Sequence, residues 1–256
     1  MISLRGGAAA APQQKCDPLG CTRNSLESRS TGRDQIQRID VAALLFDMDG
    51  VLLDSRPAVE RVRRRWAARH GISVAAILSA PHGQRVLDTI RALAPELATA
   101  QEGAWLEAAE MADLDGIVPI AGATELVTAL DPASWTVVTS AGRELATRRL
   151  AAVGLVLPSH AVTGDEVQQG KPAPEGYLLA ARRLGVSPAD CLVVEDAPAG
   201  VQAGLAAGSR VLALTTTYAQ DALLQATFIV PDLLAVRTTR ETGRLGLAIE
   251  TGSRAT

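Results

Sequence analysis

The sequence is poor in aromatic residues and in cysteine, and it contains no long apolar run. Aromatic side chains make up 3% of the 256 residues, which argues against a stacking platform for single-stranded nucleic acid. Three cysteines are too few for the disulfide framework of a small secreted domain, and they fit a reducing compartment. No apolar stretch approaches the roughly 20 residues needed to cross a bilayer. We therefore expect a cytoplasmic protein with neither nucleic-acid nor membrane partners.

The sequence also lacks an excess of charge of either sign. Its 25 Lys and Arg residues against 28 Asp and Glu give a net charge of −3, which offers no general attraction to nucleic acid or to an anionic membrane. Hydrophobic residues reach 47%, the share typical of a globular protein with a buried core. The composition therefore predicts a soluble globular protein, and we expect a monomer.

The two ends of the chain lack regular periodicity. Residues 1–39 combine glycine, alanine, proline and glutamine with scattered charges, a composition that predicts a disordered N-terminal extension. Residues 238–256 are rich in threonine, arginine and glycine, and we expect them to form a frayed C-terminal tail.

Three apolar runs between these ends have the pattern of buried parallel strands. They cover residues 41–46, 135–139 and 191–194. We predict further short strands at 210–214 and 227–230, a weak strand at 161–163, and helices between the strands, the last of them at 219–226. Regular alternation of strands and helices predicts an α/β fold with a Rossmann-like parallel sheet flanked by helices. We assign this core to residues 40–55 and 115–237.

Residues 56–114 interrupt the alternation because they show helical periodicity and no strand. We predict helices at 57–70, 84–94 and 95–113, which together form an all-helical cap inserted after the first strand. The first of these helices carries a basic cluster formed by Arg61, Arg63, Arg64 and Arg65. Four charges within five positions cannot all face one site, so we expect this cluster to form a solvated face.

Acidic and hydroxyl side chains gather where the three apolar runs end. These side chains are Asp47, Asp49, Thr139, Ser140, Glu195 and Asp196. Each pair alone could be a helix cap or an Asx-turn. Ligands of parallel sheets bind at the carboxyl ends of the strands, so we expect these side chains to share one site. A loop lysine, Lys171, offers a cation to the same site.

Together these groups have what phosphoryl transfer requires. One carboxylate can attack phosphorus, and a second can protonate the leaving oxygen and then activate water. Crowded carboxylates can hold Mg²⁺, while lysine and hydroxyl donors stabilise the charge on the phosphoryl oxygens.

Four motifs in order resemble those of the haloacid dehalogenase-like (HAD) hydrolase superfamily. They read FDMDGV at 46–51, VVTS at 137–140, GKP at 170–172 and VEDAPAG at 194–200. The resemblance implies that Asp47 is the nucleophile and Asp49 the general acid and base. It also implies that Thr139, Ser140 and Lys171 bind the phosphate. It implies a Mg²⁺ site formed by Asp47, the main-chain carbonyl of Asp49 and Asp196, with Glu195 close by.

The cap narrows the resemblance to one branch of the superfamily. The dehalogenases and the P-type pumps of this superfamily have no acid at the position that corresponds to Asp49. The acid at this position therefore distinguishes the chain from both groups. By its residues alone, segment 81–85 is an exposed loop before a helix. However, His82, Gly83 and Arg85 resemble the cap loop of sugar-phosphatases and glycerol-phosphatases, and the whole arrangement resembles their branch, which includes β-phosphoglucomutase. This resemblance implies that His82, Gly83 and Arg85 contact the substrate.

The sequence thus predicts a Mg²⁺-dependent phosphomonoester hydrolase for small phosphorylated sugars or polyols, acting through an aspartyl-phosphate. The alternative is a β-phosphoglucomutase-like mutase, in which a sugar-phosphate oxygen rather than water takes the phosphoryl group. A non-enzymatic scaffold is a third possibility. The complete set of acidic residues, together with Lys171, argues against it.

Overall fold

The computed structural model describes residues 35–78, 83–241 and 244–252. The expectations for residues 1–34 and for His82 therefore lie outside the described residues. No helix of the described part of the chain is long and apolar enough to cross a membrane.

The chain alternates between strands and helices over most of its length. The strands are β1 (Gln35–Val41), β2 (Ala43–Phe46), β3 (Leu53–Asp54), β4 (Val118–Pro119), β5 (Trp135–Val137), β6 (Cys191–Glu195), β7 (Arg210–Leu214), β8 (Phe228–Val230), β9 (Val236–Glu241) and β10 (Arg244–Thr251). The α-helices are α1 (Arg56–His70), α2 (Val74–Leu78), α3 (Val86–Leu93), α4 (Ala100–Ala112), α5 (Ala123–Ala129), α6 (Arg143–Ala152), α7 (Glu175–Leu184) and α8 (Pro198–Ala206).

The core is a five-stranded parallel sheet with the order β5-β2-β6-β7-β8. Alternate residues of β2 pack into different hydrophobic clusters, Leu44 and Phe46 in one and Ala43 and Leu45 in the other. A strand buried on both faces needs apolar residues at every position, which explains the unbroken apolar run. The predicted α/β fold with a parallel sheet flanked by helices is confirmed. Strand β2 lies between β5 and β6, so the ends of these three strands meet.

Helices α1 to α4 follow β3 and form a cap with its own hydrophobic cluster. Trp66 of α1 is fully buried there beside Ile90 of α3 and Leu106 of α4. The chain enters the cap through one segment and returns to the core through another, and these two segments pair with each other as strands β3 and β4. The predicted helix at 95–113 is divided, because the Thr99 hydroxyl caps α4 by accepting from the N–H of Glu102 at 3.2 Å.

The expectation of a frayed tail at 238–256 is wrong for most of its length. Strands β9 and β10 join β1 in an antiparallel sheet of order β1-β10-β9, so residues 35–39 are also ordered. Leu247 and Ile249 are fully buried in the same cluster as Leu44 and Phe46. The apolar alternation in β10 drives this packing, and the threonine- and arginine-rich composition around it hid that pattern.

Two smaller elements also differ from expectation. The predicted helix at 219–226 is a short 3₁₀ turn at Gln220–Leu223. The weak strand expected at 161–163 reduces to a single bridge between Val138 and Val162. Neither difference changes the edge of the sheet where the candidate residues lie.

Candidate active site

The ends of β5, β2 and β6 place the candidate nucleophile between two neighbouring strands. Asp47 directly follows β2, and its N–H donates to the carbonyl of Val194 on β6 at 2.9 Å. On the other side, the N–H of Val138 donates to the carbonyl of Phe46 at 2.8 Å. These bonds continue the ladders past the last strand residues, so the backbone at Asp47 is fixed at the sheet edge where ligands of such folds bind.

Lys171 joins two of the candidate carboxylates in a buried ion-pair group. Its Nζ lies 2.6 Å from Asp47 Oδ1 and 2.6 Å from Glu195 Oε1, and it donates to the carbonyl of Val138 at 3.3 Å. The hydroxyl of Tyr177 donates to the same Glu195 oxygen at 2.6 Å. One ammonium group thus faces two carboxylates away from water, and that arrangement favours a further cation.

Burial changes the protonation of these groups. It raises the pKa of Asp47 to about 7 in the metal-free protein, although Lys171 opposes the change. Burial also raises the pKa of Asp196 well above its usual range, and the neighbouring carboxylates add to that rise. For Lys171, burial would lower the pKa, but Asp47 and Glu195 outweigh it and hold the pKa above its ordinary value. Lys171 therefore stays charged.

Three carboxylates at the strand ends have the geometry of a metal site. Oxygens of Asp47, Glu195 and Asp196 lie within 4.8 Å of one another. Asp196 Oδ1 is buried and has no hydrogen-bond partner among the described residues. A buried carboxylate oxygen without a donor is costly unless a cation binds it. Oxygen donors of this kind suit Mg²⁺, so the residues present fit the cation that the sequence analysis expects.

Glu195 differs from the other two carboxylates because protein donors occupy both of its oxygens. Oε1 contacts Lys171 and Tyr177, and Oε2 accepts from the main-chain N–H groups of the next two residues at 3.1 and 3.4 Å. Gly200 belongs to α8, the helix that follows Glu195, and a Cβ at this position would lie 1.8 Å from Oε1. Helix α8 therefore requires glycine there. These contacts orient Lys171, and a role for Glu195 as a metal ligand stays a prediction.

Gly50 provides the space that the acidic cluster needs. Its backbone is left-handed, with φ of 80°, and a Cβ there would lie 1.9 Å from Asp196 Oδ2. Its N–H donates to the carbonyl of Leu53 at 2.7 Å, so the chain turns back immediately after Asp49. This turn keeps Asp49 beside the cavity described below.

The side chain of Asp49 is held by donors from two different segments. The hydroxyl of Ser55 donates to Oδ1 at 2.5 Å, and Arg149 Nη1 lies 3.1 and 3.2 Å from the two carboxylate oxygens. Arg149 also donates from Nη2 to Glu110 Oε2 on the cap at 2.9 Å. The candidate acid therefore belongs to a network that reaches from the core to the cap.

The candidate phosphate ligands lie on the loop after β5. Thr139 is buried, and its Oγ1 accepts from the N–H of Ala141 at 3.1 Å. The hydroxyl of Ser140 donates to the carbonyl of Gly83 at 2.8 Å, which joins this loop to the cap. The structure thus brings Thr139, Ser140 and Lys171 to the same end of the sheet as Asp47, while their contact with phosphate stays a prediction.

Arg85 also connects the cap to the core. Its Nε donates to Asp88 at 2.8 Å, and its Nη1 donates to the carbonyls of Val167 and Gln168 at 3.3 and 3.2 Å. A Cβ at Gly170 would lie 2.9 Å from Arg85 Nε, so that glycine leaves room for the guanidinium. Arg85 lines the cavity as expected for a substrate contact, but its observed partners are protein groups.

A cavity of about 410 Å³ lies between the strand ends and the cap. Its core side includes Asp47, Asp49, Thr139, Ser140 and Asp196. Its cap side is also strongly charged, with Arg56, Arg63, Arg85, Asp88, Arg91, Glu107 and Glu110. Such a lining suits a ligand that has many hydrogen-bonding groups and little apolar surface.

Arg63 departs from the solvated face expected for its cluster. Arg64 and Arg65 are exposed, and Arg61 pairs with Asp113 at 2.6 Å, whereas Arg63 lines the cavity. Its Nη1 is buried and has no hydrogen-bond partner among the described residues. The sequence did contain a signal, because Arg56, Val59 and Arg63 lie three and four positions apart and share one side of α1.

Sequence analysis also missed Arg149 and Glu110. The buried stripe of α6 consists of Leu145, Ala146, Arg149 and Leu150. An arginine within an apolar stripe is unusual unless a partner neutralises it, so the pattern could have indicated a buried ion pair. Its partners could not be read from the sequence, because Asp49 and Glu110 lie 100 and 39 positions away.

Comparison with known proteins gives the same assignment as the motifs. The family model for haloacid dehalogenase-like hydrolases matches residues 41–208. Hexitol phosphatase A from Escherichia coli is 39% identical over 202 residues, which cover 77% of this chain and 94% of the relative. Glycerol-1-phosphate phosphohydrolase 2 from Saccharomyces cerevisiae is 34% identical over 72% of this chain and 79% of its own.

Solved structures also match the fold. A putative β-phosphoglucomutase from Bacteroides vulgatus is 31% identical with a TM-score of 0.62, and the match covers 76% of this chain and 85% of that protein. A hydrolase from Pseudomonas syringae, 25% identical, gives a TM-score of 0.65 over 76% of this chain and 94% of its own. The family match covers most of the α/β core, the cap and all four motifs, and on this evidence the chain belongs to the haloacid dehalogenase-like hydrolases.

Proposed function

We propose that this protein is a Mg²⁺-dependent phosphatase for small sugar or polyol phosphates and that it acts through an aspartyl-phosphate at Asp47. The observation that carries the proposal is the pairing of two acids at one cavity. The Asp47 carboxylate is buried against Lys171, and Asp49 faces the same space two residues later. One acid is therefore placed to attack and the other to handle protons.

The reaction consists of two displacements at phosphorus. A carboxylate oxygen of Asp47 attacks phosphorus, the bond to the substrate oxygen breaks, and Asp49 gives its proton to that oxygen. Asp49, now ionised, takes a proton from water as the water oxygen attacks the same phosphorus. The bond to Asp47 then breaks, which releases inorganic phosphate and restores both side chains. Lys171 and the hydroxyls of Thr139 and Ser140 offset negative charge on the phosphoryl oxygens.

Mg²⁺ would be held by Asp47 and Asp196, with the main-chain carbonyl of Asp49 and with Glu195 close by. Bound there, it would neutralise phosphate oxygens and the repulsion between the buried carboxylates. The unpartnered Oδ1 of Asp196 supports this assignment.

The substrate class follows from the lining of the cavity. Arginines alternate with carboxylates on the cap side, and such groups recognise hydroxyls that can both donate and accept hydrogen bonds. A volume of about 410 Å³ suits a small metabolite. Relatives named as hexitol and glycerol-1-phosphate phosphatases support the same class.

A mutase is the second candidate. Four arginines on the cap side of the cavity could hold a second phosphate, and one matched structure bears the name of a putative β-phosphoglucomutase. The two candidates differ only in the acceptor, which is water for the phosphatase and a sugar-phosphate oxygen for the mutase.

Phosphate release from a panel of sugar and polyol phosphates, with and without Mg²⁺, tests the proposal. We expect Mg²⁺-dependent release that Asp47→Asn abolishes, and thermal stabilisation of the wild-type protein by Mg²⁺ with beryllofluoride. Isomerised sugar phosphate, formed without release and dependent on a bisphosphate primer, would favour the mutase. Neither release nor isomerisation, together with no stabilisation, would contradict both candidates.

A further inference from the structure

Arg149 is a buried cation whose partners come from both sides of the cavity. Its side chain on α6 is 4% exposed. Nη1 contacts both oxygens of Asp49, and Nη2 contacts Glu110 on cap helix α4. Its Nε is buried and has no hydrogen-bond partner among the described residues. Within the described chain, the two carboxylates are the hydrogen-bonding partners of this guanidinium.

The contact with Asp49 fixes the side chain that must meet the leaving oxygen. Without Arg149, the hydroxyl of Ser55 alone would hold the carboxylate, at one oxygen. A single contact leaves the carboxylate free to rotate about the bond that joins it to the chain. Nη1 of Arg149 contacts both carboxylate oxygens, and its Nη2 is fixed by Glu110, so the guanidinium restricts that rotation. General acid catalysis requires hydrogen-bond distance to the reacting oxygen, so the orientation of Asp49 limits the rate of proton donation.

The contact with Glu110 makes this orientation depend on the cap. Glu110 lies on α4, whereas Asp49 and Arg149 belong to the core. The chain of contacts from Asp49 through Arg149 to Glu110 therefore exists only while the cap lies against the core. When the cap moves away, the buried guanidinium loses its contact with Glu110 and keeps its contact with Asp49. The position of the guanidinium then changes, and with it the orientation of the Asp49 carboxylate.

We propose that Arg149 is a positioning residue for Asp49 and that Glu110 couples this positioning to cap closure. The acid is then correctly placed when the cavity is closed and water is excluded. This inference rests on the proposed phosphatase function, because it assigns a task to the same acid. It adds two residues to that function, one from α6 and one from the cap.

The alternative is a purely structural ion pair that holds the cap against the core. A structural role would affect every substrate equally, because each substrate needs the same cavity. A positioning role would slow the first step, release of the leaving group, only for substrates whose leaving oxygen needs a proton, whereas the later attack of water would slow for every substrate. Alkyl phosphates need that proton, whereas p-nitrophenyl phosphate has a good leaving group and does not.

The test compares Arg149→Gln, Arg149→Lys and the wild type on a polyol phosphate and on p-nitrophenyl phosphate, with the single-turnover rate of leaving-group release, kcat and KM measured separately. We expect Arg149→Gln to lower the single-turnover rate of alcohol release from the polyol phosphate about 100-fold and to change the single-turnover rate of p-nitrophenol release by less than about 3-fold. Arg149→Lys keeps the charge but lacks the planar group, so it should restore part of the loss. Arg148→Gln is the matched control, because Arg148 is the exposed neighbour on α6 and pairs with Glu144.

Glu110→Gln tests the coupling to the cap. It should lower the single-turnover rate of leaving-group release with the same preference for the poor leaving group but by a smaller factor than Arg149→Gln. Equal losses in the rate of leaving-group release from both substrates in the Arg149 variants, or no loss in that rate, would overturn the positioning role while leaving the phosphatase proposal intact. A change confined to KM in Glu110→Gln would overturn the coupling. A wild-type protein that hydrolyses neither substrate would contradict the proposed function itself.

Discussion

The core side and the cap side of the cavity carry their charges in different ways. On the core side, Asp47, Lys171 and Glu195 are buried at the ends of the strands, and Lys171 Nζ lies 2.6 Å from a carboxylate oxygen of each of the other two. On the cap side, Arg63 and Arg85 extend from helical segments, and Arg63 Nη1 has no partner among the described residues. On the core side, Asp47, Lys171 and Glu195 are thus matched within the protein and Asp196 Oδ1 is left for a cation, whereas on the cap side Arg63 is left for a substrate group.

From this difference we expect the core side to carry out the chemical step and the cap side to recognise the substrate. A network that is complete before substrate arrives can serve any phosphate ester, because it costs no reorganisation during the reaction. A cation without a protein partner gains its partner from a particular substrate, so its contribution depends on that substrate's shape. We therefore expect changes on the core side to affect all substrates and changes on the cap side to discriminate among them.

Asp47→Asn should produce the largest effect. The amide cannot form the aspartyl-phosphate, so turnover should fall by at least about 10⁴-fold on every substrate, with the fold retained. Initial rates on a polyol phosphate and on p-nitrophenyl phosphate, together with circular dichroism, check this. Substantial residual turnover on either substrate would show that Asp47 is not the nucleophile.

Gly50→Ala should come next. The new Cβ would lie 1.9 Å from Asp196 Oδ2 and would displace that carboxylate, so activity at low Mg²⁺ should fall about 100-fold on all substrates. Gly71→Ala is the matched control, because Gly71 also has a left-handed backbone but nothing lies within 4 Å of its Cβ position. The control should lose only stability. A normal Mg²⁺ dependence in Gly50→Ala would remove Asp196 from the metal site.

Arg63→Gln should discriminate among substrates. We expect KM for a hexitol phosphate to rise about 10-fold, because a charge-assisted hydrogen bond is lost, while p-nitrophenyl phosphate is little affected. Arg64→Gln, one position along α1 and exposed, should leave both KM values unchanged. If Arg63→Gln raised KM for both substrates to the same extent, the proposed division of tasks between the core side and the cap side of the cavity would be wrong.

The smallest effect should be a pH-dependent change in the stability of the metal-free protein. The pKa of Asp47 is about 7 in the folded protein and near 3.8 in the unfolded chain. The folded state therefore binds more protons between these values, and the stability contributed by protonated Asp47 is lost as the pH rises through about 7. Relative to wild type, Asp47→Asn should gain about 10 °C in melting temperature between pH 4 and pH 8 in EDTA.

Mg²⁺ provides the control for the pH experiment. A bound cation favours the ionised carboxylates, so the pH-dependent difference between wild type and Asp47→Asn should shrink when Mg²⁺ is present. A constant difference in melting temperature across the whole pH range would contradict the raised pKa of Asp47.

The core side was predictable from the sequence because strand geometry fixes it. Asp47 and Glu195 end buried apolar runs, and adjacent parallel strands bring such ends together whatever the intervening chain does. Four ordered motifs added the residue roles and the family. The same local rule identified the cap as helical, because residues 56–114 have one periodicity throughout.

The charged residues of the cap side were less predictable, because their positions depend on how the helical cap packs against the α/β core. Arg63 was assigned to a solvated face since the sequence does not say which side of α1 faces the core. Arg149 and Glu110 lie 39 positions apart on helices of different units, so no local pattern connects them. Strands β9 and β10 were missed for a similar reason, since β10 gains its stability by pairing with β1 at the opposite end of the chain.

The most direct test of the account is to look for the phosphoryl group on Asp47. Asp49→Asn should still be phosphorylated by p-nitrophenyl phosphate, since that leaving group needs no proton, but it lacks the base for hydrolysis. Acid quenching followed by peptide mass spectrometry should then find one added phosphoryl group on Asp47, and none in Asp47→Asn. Rapid p-nitrophenol release with no phosphorylated Asp47 would contradict a covalent mechanism at this residue.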